Sequence, residues 1–316
     1  MSVRVSVIVP AYNVEPYLRR AVTSALGQTE PSVEILVVDD GSTDGTLAVA
    51  RSLEGPRVRV FESEGNLGPS AARNRAIEAA QGEWVAVLDA DDWYAPVRLA
   101  RLLAVAYEEA ADLVIDDQHI VADGDDRPFT TQFETSGTPL TERQIVDPVA
   151  FVRSNRPGFG SLRYGSGKAL MRRAFLDAHV LRYDERVRGV EDSVLYVRCL
   201  ARGARFVVVP EAYYYRRKRE GSITAGLIRM IENDVDVNAL VLEEPEIQAV
   251  PELAEALRER LAEARSHLAY QRLLAAARSG AFGEAVAVAA GHPAVVPFGV
   301  RKLAHRLVGP GRLGAD

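Results

Sequence analysis

The sequence has a single cysteine, Cys199, which excludes an intramolecular disulfide framework and suits a reducing compartment. One cysteine and five scattered histidines also leave no Cys/His set for a structural zinc. Long apolar runs are missing. The longest, from Val3 to Val9 and from Val85 to Leu88, fall far short of the ~20 residues that span a bilayer and read as buried strands. No charged segment followed by an apolar one opens the chain, so no secretory signal is expected and a cytoplasmic location is. No G-x-G-x-x-G follows the first strand, which leaves a dinucleotide dehydrogenase unsupported. The glycine-rich stretch Gly160 to Lys168 misses phosphate-loop spacing, with Leu162 and Ala169 where the pattern needs other residues. There is no G-x-S-x-G elbow of a hydrolase, and no internal repeat. The net charge of −6 argues against a general nucleic-acid binder.

What is present is an ordinary globular composition, 47% hydrophobic and 26% charged over 316 residues, enough for one large domain with an appendage. Val3 to Pro10 reads as a central strand. Leu18, Ala21, Val22, Ala25 and Leu26 recur at helical spacing after Pro16, with Gly27 as a cap. Glu34 to Val38 is a second strand, and Thr43 or Asp44 caps a helix from Thr46 to Leu53. Val58 to Phe61, a helix from Pro69 to Ala80 and a strand from Glu83 to Leu88 continue the alternation. Strand–helix alternation predicts an α/β fold, a mostly parallel central sheet flanked by helices, with its ligand crevice at the carboxyl ends of the strands. The stretch Asp116 to Arg156 reads as a polar, irregular insertion over that crevice. Beyond Ser222 the chain reads as helical. Leu253, Leu257, Leu261, Ala264 and Leu268 form one stripe and Gly280 ends it. The boundary near Gly226 divides the chain into 1–225 and a helical extension, 226–316.

Polar clusters follow the first, second and fourth strands and so converge on one rim. Asp89-Ala90-Asp91-Asp92 leaves the hydrophobic strand Trp84 to Leu88. Three carboxylates in four residues repel one another unless a cation compensates, and hard cations such as Mg²⁺ or Mn²⁺ take one or two carboxylates plus phosphate oxygens. A solvated acidic turn is the plainer reading; the register with the other clusters favours a metal. Asp39-Asp40-Gly41-Ser42 offers a carboxylate to a base N–H or to ribose hydroxyls, or is an ordinary strand-to-helix turn. Pro10-Ala11-Tyr12-Asn13 puts an aromatic where a nucleobase could lie. Arg73, one turn into its helix, is placed for a phosphate or for a structural ion pair. Glu191-Asp192 begins a helix, where acids commonly do no more than complement its dipole. Tyr213 to Ser222 sets Arg216, Arg217, Lys218 and Arg219 beside aromatics, a diphosphate clamp or a solvated basic loop.

Taken together the stretches VSVIVPAYNVEPYLRRAVTSALGQT, VEILVVDDGSTDGT, NLGPSAARNRAIEAAQGEWVAVLDADDW, GKALMRRAFL, VEDSVLYVRCLARG and YYYRRKREGSIT resemble, in order and spacing, the family 2 glycosyltransferases of the GT-A fold. The resemblance covers about residues 3 to 225. It implies an enzyme that moves a hexosyl group from a nucleotide-sugar donor, most often UDP-linked, onto a saccharide or lipid-linked hydroxyl in surface polysaccharide or glycoconjugate assembly. It implies that Tyr12 and Asp40 hold the nucleobase beside Pro10 and Asp39, and that Arg73 helps bind the nucleotide. By the same resemblance Asp89, Asp91 and Asp92 would form the DxD-type site, with Asp91 toward ribose and metal and Asp92 toward the metal, Mg²⁺ or Mn²⁺. The resemblance further implies that Asp192 is the catalytic base of an inverting displacement and that Arg216, Arg219 and Ser222 lie near the diphosphate or acceptor. Gly165-Ser166-Gly167 stands where many relatives carry a bulky residue, so the resemblance does not extend to the shape of the acceptor pocket. A sugar-phosphate nucleotidyltransferase and a non-catalytic nucleotide-sugar-binding protein are the alternatives. The former usually has a glycine-rich basic loop that Pro10 to Asn13 is not. The C-terminal helices are candidates for contacts between copies of the chain. The basic, mildly amphipathic segment Pro297 to Leu307, with Arg301, Lys302 and Arg306, permits peripheral membrane contact at the inner face of the plasma membrane.

Overall fold

A computed structural model describes residues 3–137, 139–155, 164–219, 227–295 and 297–299. Ser222, the boundary at Gly226 and residues 300–307 of the basic segment lie outside the described residues.

The chain starts with β1 (Val5–Ala11), α1 (Glu15–Leu26), β2 (Val33–Asp39), α2 (Thr46–Ser52), β3 (Val58–Glu62), α3 (Pro69–Ala79) and β4 (Trp84–Val87). β1, β2 and β4 are Val- and Ile-rich and covered on both faces, which is why they read as continuous apolar runs. Together with β3 they form a parallel block in the order β3-β2-β1-β4. Neither cap candidate is the N-cap of α2, which is Gly45 without a side-chain cap; Asp44, one residue earlier, accepts the Thr46 amide at 2.9 Å.

The chain continues through β5 (Trp93–Tyr94), α4 (Arg98–Glu108), β6 (Leu113–Ala122), β7 (Pro128–Thr131), α5 (Gln132–Thr135), β8 (Gln144–Val146) and α6 (Pro148–Ser154). After these come β9 (Leu170–Arg172), α7 (Arg173–Ala178), α8 (Glu191–Ala201) and β10 (Phe206–Lys218). β9 runs antiparallel to both β4 and β6, and β6 pairs in parallel with β10, so the second half of the sheet is mixed. The expected irregular insertion from Asp116 to Arg156 is therefore corrected, since the stretch carries the end of β6 and all of β7, α5, β8 and α6. Asp116 to Ala122 belongs to β6, a central strand, and Asp123 to Arg127 is the turn into β7. The polar sequence misled because its charges are buried in pairs: Arg98 donates to both oxygens of Asp116, and both residues are fully buried.

The C-terminal helices are α9 (Leu227–Leu242), α10 (Pro245–Gln248), α11 (Pro251–Ser279) and α12 (Phe282–Gly291). The α11 stripe buries Leu253, Leu257, Leu261 and Ala264 but continues on His267, leaving Leu268 half-buried; Gly280 ends the helix at φ 75°. Val237, Val241, Ile247, Leu253 and Leu257 join one hydrophobic cluster with Ile8, Val85, Leu195 and Phe206, so these helices and the sheet share a core. Among the described residues no helix is long and apolar enough to cross a membrane.

Candidate active site

The carboxyl ends of β1, β2 and β4 form one rim, and two glycine positions set how closely its loops approach. Gly41, at φ 71°, lies against Gly65. A Cβ there would come within 2.7 Å of the Gly65 carbonyl carbon, so only glycine brings the loop after β2 onto the loop before α3. Asp40 then fastens that contact: its two oxygens accept the Leu67 and Gly68 amides at 3.0 and 2.7 Å. Asp39 accepts the Ser42 amide through Oδ2, and its buried Oδ1 has no hydrogen-bond partner among the described residues. Asn13 joins the loops after β1 and β2 through Ser42 and Thr43, holding Tyr12 at the rim, 43% exposed. Pro10 lies in β1 opposite Val38.

Beyond this rim the three acids after β4 take separate paths. Asp89 accepts Arg73 Nη2 and Lys168 Nζ, each at 2.8 Å. Burial alone would raise its carboxyl, but Lys168 and Arg73 overcome burial and hold it below the usual carboxylate range. Asp91 pairs with Arg219 at 2.7 Å. Asp92 accepts the Arg217 amide and the Tyr214 hydroxyl, both at 2.7 Å. Burial and Asp89 push the Asp91 carboxyl up against the pull of Arg219; burial, Asp91 and Asp89 push that of Asp92 well up.

Asp192 enters from the first turn of α8. Its Oδ2 is 2.7 Å from Lys168 Nζ and its Oδ1 accepts the Tyr183 hydroxyl at 3.0 Å. Neighbouring Glu191 takes Arg73 Nη1 at 2.8 Å. One face of α3 positions this whole segment: Ser70 donates to Val187, and Asn74 both donates to the Tyr183 carbonyl and accepts its amide. Gly165 and Gly167 fit tightly here, since Cβ atoms would come within 2.6 Å of Ser193 Oγ and 2.8 Å of Ile115 Cδ1. Their absence of side chains lets the segment before Lys168 press onto α8 at Gly165 and onto β6 at Gly167.

The structure thus brings Asp89, Asp91, Asp92, Asp192, Arg73 and Arg219 to one edge. Arg216 turns aside and donates to Gln132, whereas Arg217 and Arg219, two residues apart on the strand end, both lie over the Tyr17 ring. Sequence reasoning missed Lys168, Glu191 as an Arg73 partner, and Tyr183; it singled out the stretch holding Tyr214 and Arg217 but not their bonds to Asp92. A lysine directly ahead of the apolar β9 was the available signal for the first.

Do these residues fit a divalent cation? Asp91 and Asp92 are hard oxygen donors, crowded and short of compensating positive charge, and a carboxylate keeps further lone pairs after accepting two hydrogen bonds. Among the described residues no group of three His, Cys, Asp or Glu side chains could hold a metal. The pair suits a cation that completes its shell with phosphate oxygens, the habit of Mg²⁺, rather than one caged by protein.

Comparison with known proteins decides the family. Residues 6–180 match the profile described as Glycosyl transferase family 2. The chain belongs to that family. It is 35% identical over 302 residues to the succinoglycan biosynthesis protein ExoU of Rhizobium meliloti, covering 93% of this chain and 84% of that one. It is 39% identical over 221 residues to ExoO of the same organism, covering 70% of this chain but 62% of ExoO. Among solved structures, S. aureus TarS 1-349 in complex with UDP-GlcNAc superposes with a TM-score of 0.63 at 23% identity over 90% of both chains. The mannosyltransferase PcManGT of Pyrobaculum calidifontis, in complex with GDP-Man and Mn²⁺, gives 0.57 at 22% identity over 96% of this chain and 84% of that one. These two likenesses show the GT-A fold of this family 2 glycosyltransferase.

Proposed function

We propose that this glycosyltransferase moves a sugar from a nucleoside-diphosphate donor, UDP-linked in the first instance, to a saccharide or lipid-linked hydroxyl by a metal-dependent inverting displacement, in surface polysaccharide assembly. The observation that carries the reading is the meeting of Asp91, Asp92 and Asp192 at one edge, where Lys168 and Asp89 join the acidic turn to the start of α8. The names of ExoU and ExoO, which concern succinoglycan biosynthesis, support the polysaccharide setting.

In this reading the rim loops with Pro10, Tyr12, Asp39 and Asp40 receive the nucleoside, with Arg73 beside them. Residues 1–225 carry the donor and catalytic groups, and the helices from 226 buttress them. Asp91 and Asp92 hold Mg²⁺ or Mn²⁺, which when bound supplies positive charge against the diphosphate. Arg219 exchanges Asp91 for a diphosphate oxygen. Asp192 takes the proton of the acceptor hydroxyl. The freed oxygen pair forms the bond to the anomeric carbon, and the anomeric carbon–oxygen bond breaks with its electrons leaving on the nucleoside diphosphate. Such proton transfer contributes about 10²–10⁴-fold to the rate. Action at the inner face of the plasma membrane is part of the proposal, since a lipid-linked acceptor would be presented there.

The test is release of nucleoside diphosphate from a panel of UDP- and GDP-hexoses, with and without EDTA. Turnover that is abolished by EDTA and by Asp92→Ala supports the reading. Full turnover in a folded Asp92→Ala variant would defeat it.

A further inference from the structure

Five charges alternate in sign across the site. Glu191 Oε1 meets Arg73 Nη1 at 2.8 Å, Arg73 Nη2 meets Asp89 Oδ1 at 2.8 Å, Asp89 Oδ2 meets Lys168 Nζ at 2.8 Å, and Lys168 Nζ meets Asp192 Oδ2 at 2.7 Å. Arg73 is 3% exposed and the Lys168 side chain 11%, so water screens these pairs little. We propose that Lys168 is the positioning residue that aims the Asp192 carboxylate at the acceptor, and that Asp89 belongs to this array rather than to the cation site. The inference rests on the reading of Asp192 as base.

Three observations carry it. The first is that the backbone around Lys168 is over-determined. Tyr196 donates its hydroxyl to the Gly167 carbonyl at 2.9 Å and accepts the Ala169 amide at 3.1 Å. The Lys168 carbonyl is held by Arg98, which Asp116 clamps with both oxygens. The stem of Lys168 therefore starts from a fixed point, and a short reach delivers its ammonium to one place. The second is that Asp89 has both oxygens engaged by buried cations. Turning one toward a metal would leave a buried guanidinium or ammonium unpaired, an expensive loss. Asp91 and Asp92 face no cation of comparable burial on both oxygens. The third is chemical. An ammonium has three donors and no acceptor, so Lys168 cannot take the acceptor's proton. What it can do, with the Tyr183 hydroxyl on the other oxygen, is fix the rotamer of Asp192. A base must be held to about 0.5 Å of its working position to act well.

The experiment compares full-length Lys168→Met, Lys168→Arg, Asp89→Asn, Asp92→Asn and Asp192→Asn with the wild type. It measures nucleoside diphosphate release from the donor selected by the hexose panel, Mn²⁺ binding by electron paramagnetic resonance in the presence of UDP or GDP, and thermal melting. Lys168→Met should lower kcat by about 10²-fold, the lower end of what a base supplies, while donor KM and Mn²⁺ affinity stay within about twofold. Lys168→Arg should recover at least about tenfold of that loss. Asp89→Asn should follow Lys168→Met in kcat and keep Mn²⁺, whereas Asp92→Asn loses it. The inference is overturned if Lys168→Met keeps its kcat, if its donor KM and kcat deteriorate together, or if Asp89→Asn loses Mn²⁺ as Asp92→Asn does. Should Lys168→Met melt before assay, the Lys168→Arg variant decides alone: restored kcat supports positioning by charge, and wild-type KM with kcat as low as that of Asp192→Asn overturns it. Full turnover in Asp192→Asn would instead sink the catalytic reading on which the inference rests.

Discussion

Two acidic groups share the rim and differ in how their charge is balanced. Asp89, Glu191 and Asp192 meet Arg73 and Lys168, three carboxylates against two buried cations, and Asp89 is held below the usual range. Asp91 and Asp92 meet one arginine, a tyrosine hydroxyl and a backbone amide, and both carboxyls are pushed up. In the first group every carboxylate has a buried cation within 2.8 Å. The second is under-compensated and is stabilised by whatever brings positive charge. Under the proposed inverting displacement, the first group would hold the base and the second the cation.

The largest expected effect breaks the balanced side. Asp192→Asn keeps the size of the side chain but cannot accept the acceptor's proton, so transfer should fall by about 10²–10⁴-fold. Donor binding, read by calorimetry with UDP or GDP and Mn²⁺, should remain. Loss of donor binding would mean that Asp192 serves the donor instead.

The next effect tests the unbalanced side through pH. An acid whose folded pKa lies above its unfolded value binds more protons when folded, so the folded state loses stability as pH rises through that interval. Asp91 and Asp92 are both shifted this way, chiefly by burial. Without a divalent ion their destabilising contribution should be full above their raised pKa values and relieved toward acid. Mn²⁺ binds the ionised forms, so the rise in melting temperature it produces with UDP or GDP should be larger at pH 8 than at pH 5. An equal rise at both pH values would place the cation elsewhere.

These two groups were not equally legible in the sequence. The parallel block β3-β2-β1-β4 could be read because buried parallel strands are unbroken apolar runs and the rim loops follow them directly. Asp91, Asp92 and Asp192 stood out as acids at a strand end and a helix start. The partners that complete the balanced group were hidden, since Lys168 lies 79 positions after Asp89 by their numbers and only the antiparallel return of β9 beside β4 brings them together. β6 was hidden for a related reason: Asp116 looks solvated until Arg98, on another element, is seen to neutralise it.

A smaller effect addresses the C-terminal helices, which the sequence set apart and the core joins to the sheet. Leu253 is fully buried in the shared cluster. Leu253→Ala should cost about 2–5 kcal/mol, the range for a large-to-small core change. Because the core is continuous, denaturant unfolding followed by far-ultraviolet dichroism and by tryptophan fluorescence should show one coincident transition, shifted as a whole. Trp84 and Trp93 both lie in the sheet, so separated transitions would mean that the helices from Leu227 onward fold by themselves.

The smallest effect uses Cys199, on α8 two turns beyond Asp192, as a reporter of the balanced side. The thiol is fully buried, and burial pushes it up to about 12. The thiolate is the reactive form, so burial suppresses reaction by disfavouring ionisation as well as by blocking access. Labelling by a thiol reagent should therefore be slow in the native protein and accelerate in step with denaturant unfolding. Lys168→Met leaves the Tyr183 hydroxyl on Asp192 and the apolar face of α8 in place, so it should barely change the rate. Rapid labelling of that variant under native conditions would show that the alternating charges hold α8 down as well as aiming its carboxylate, a structural role larger than the positioning one.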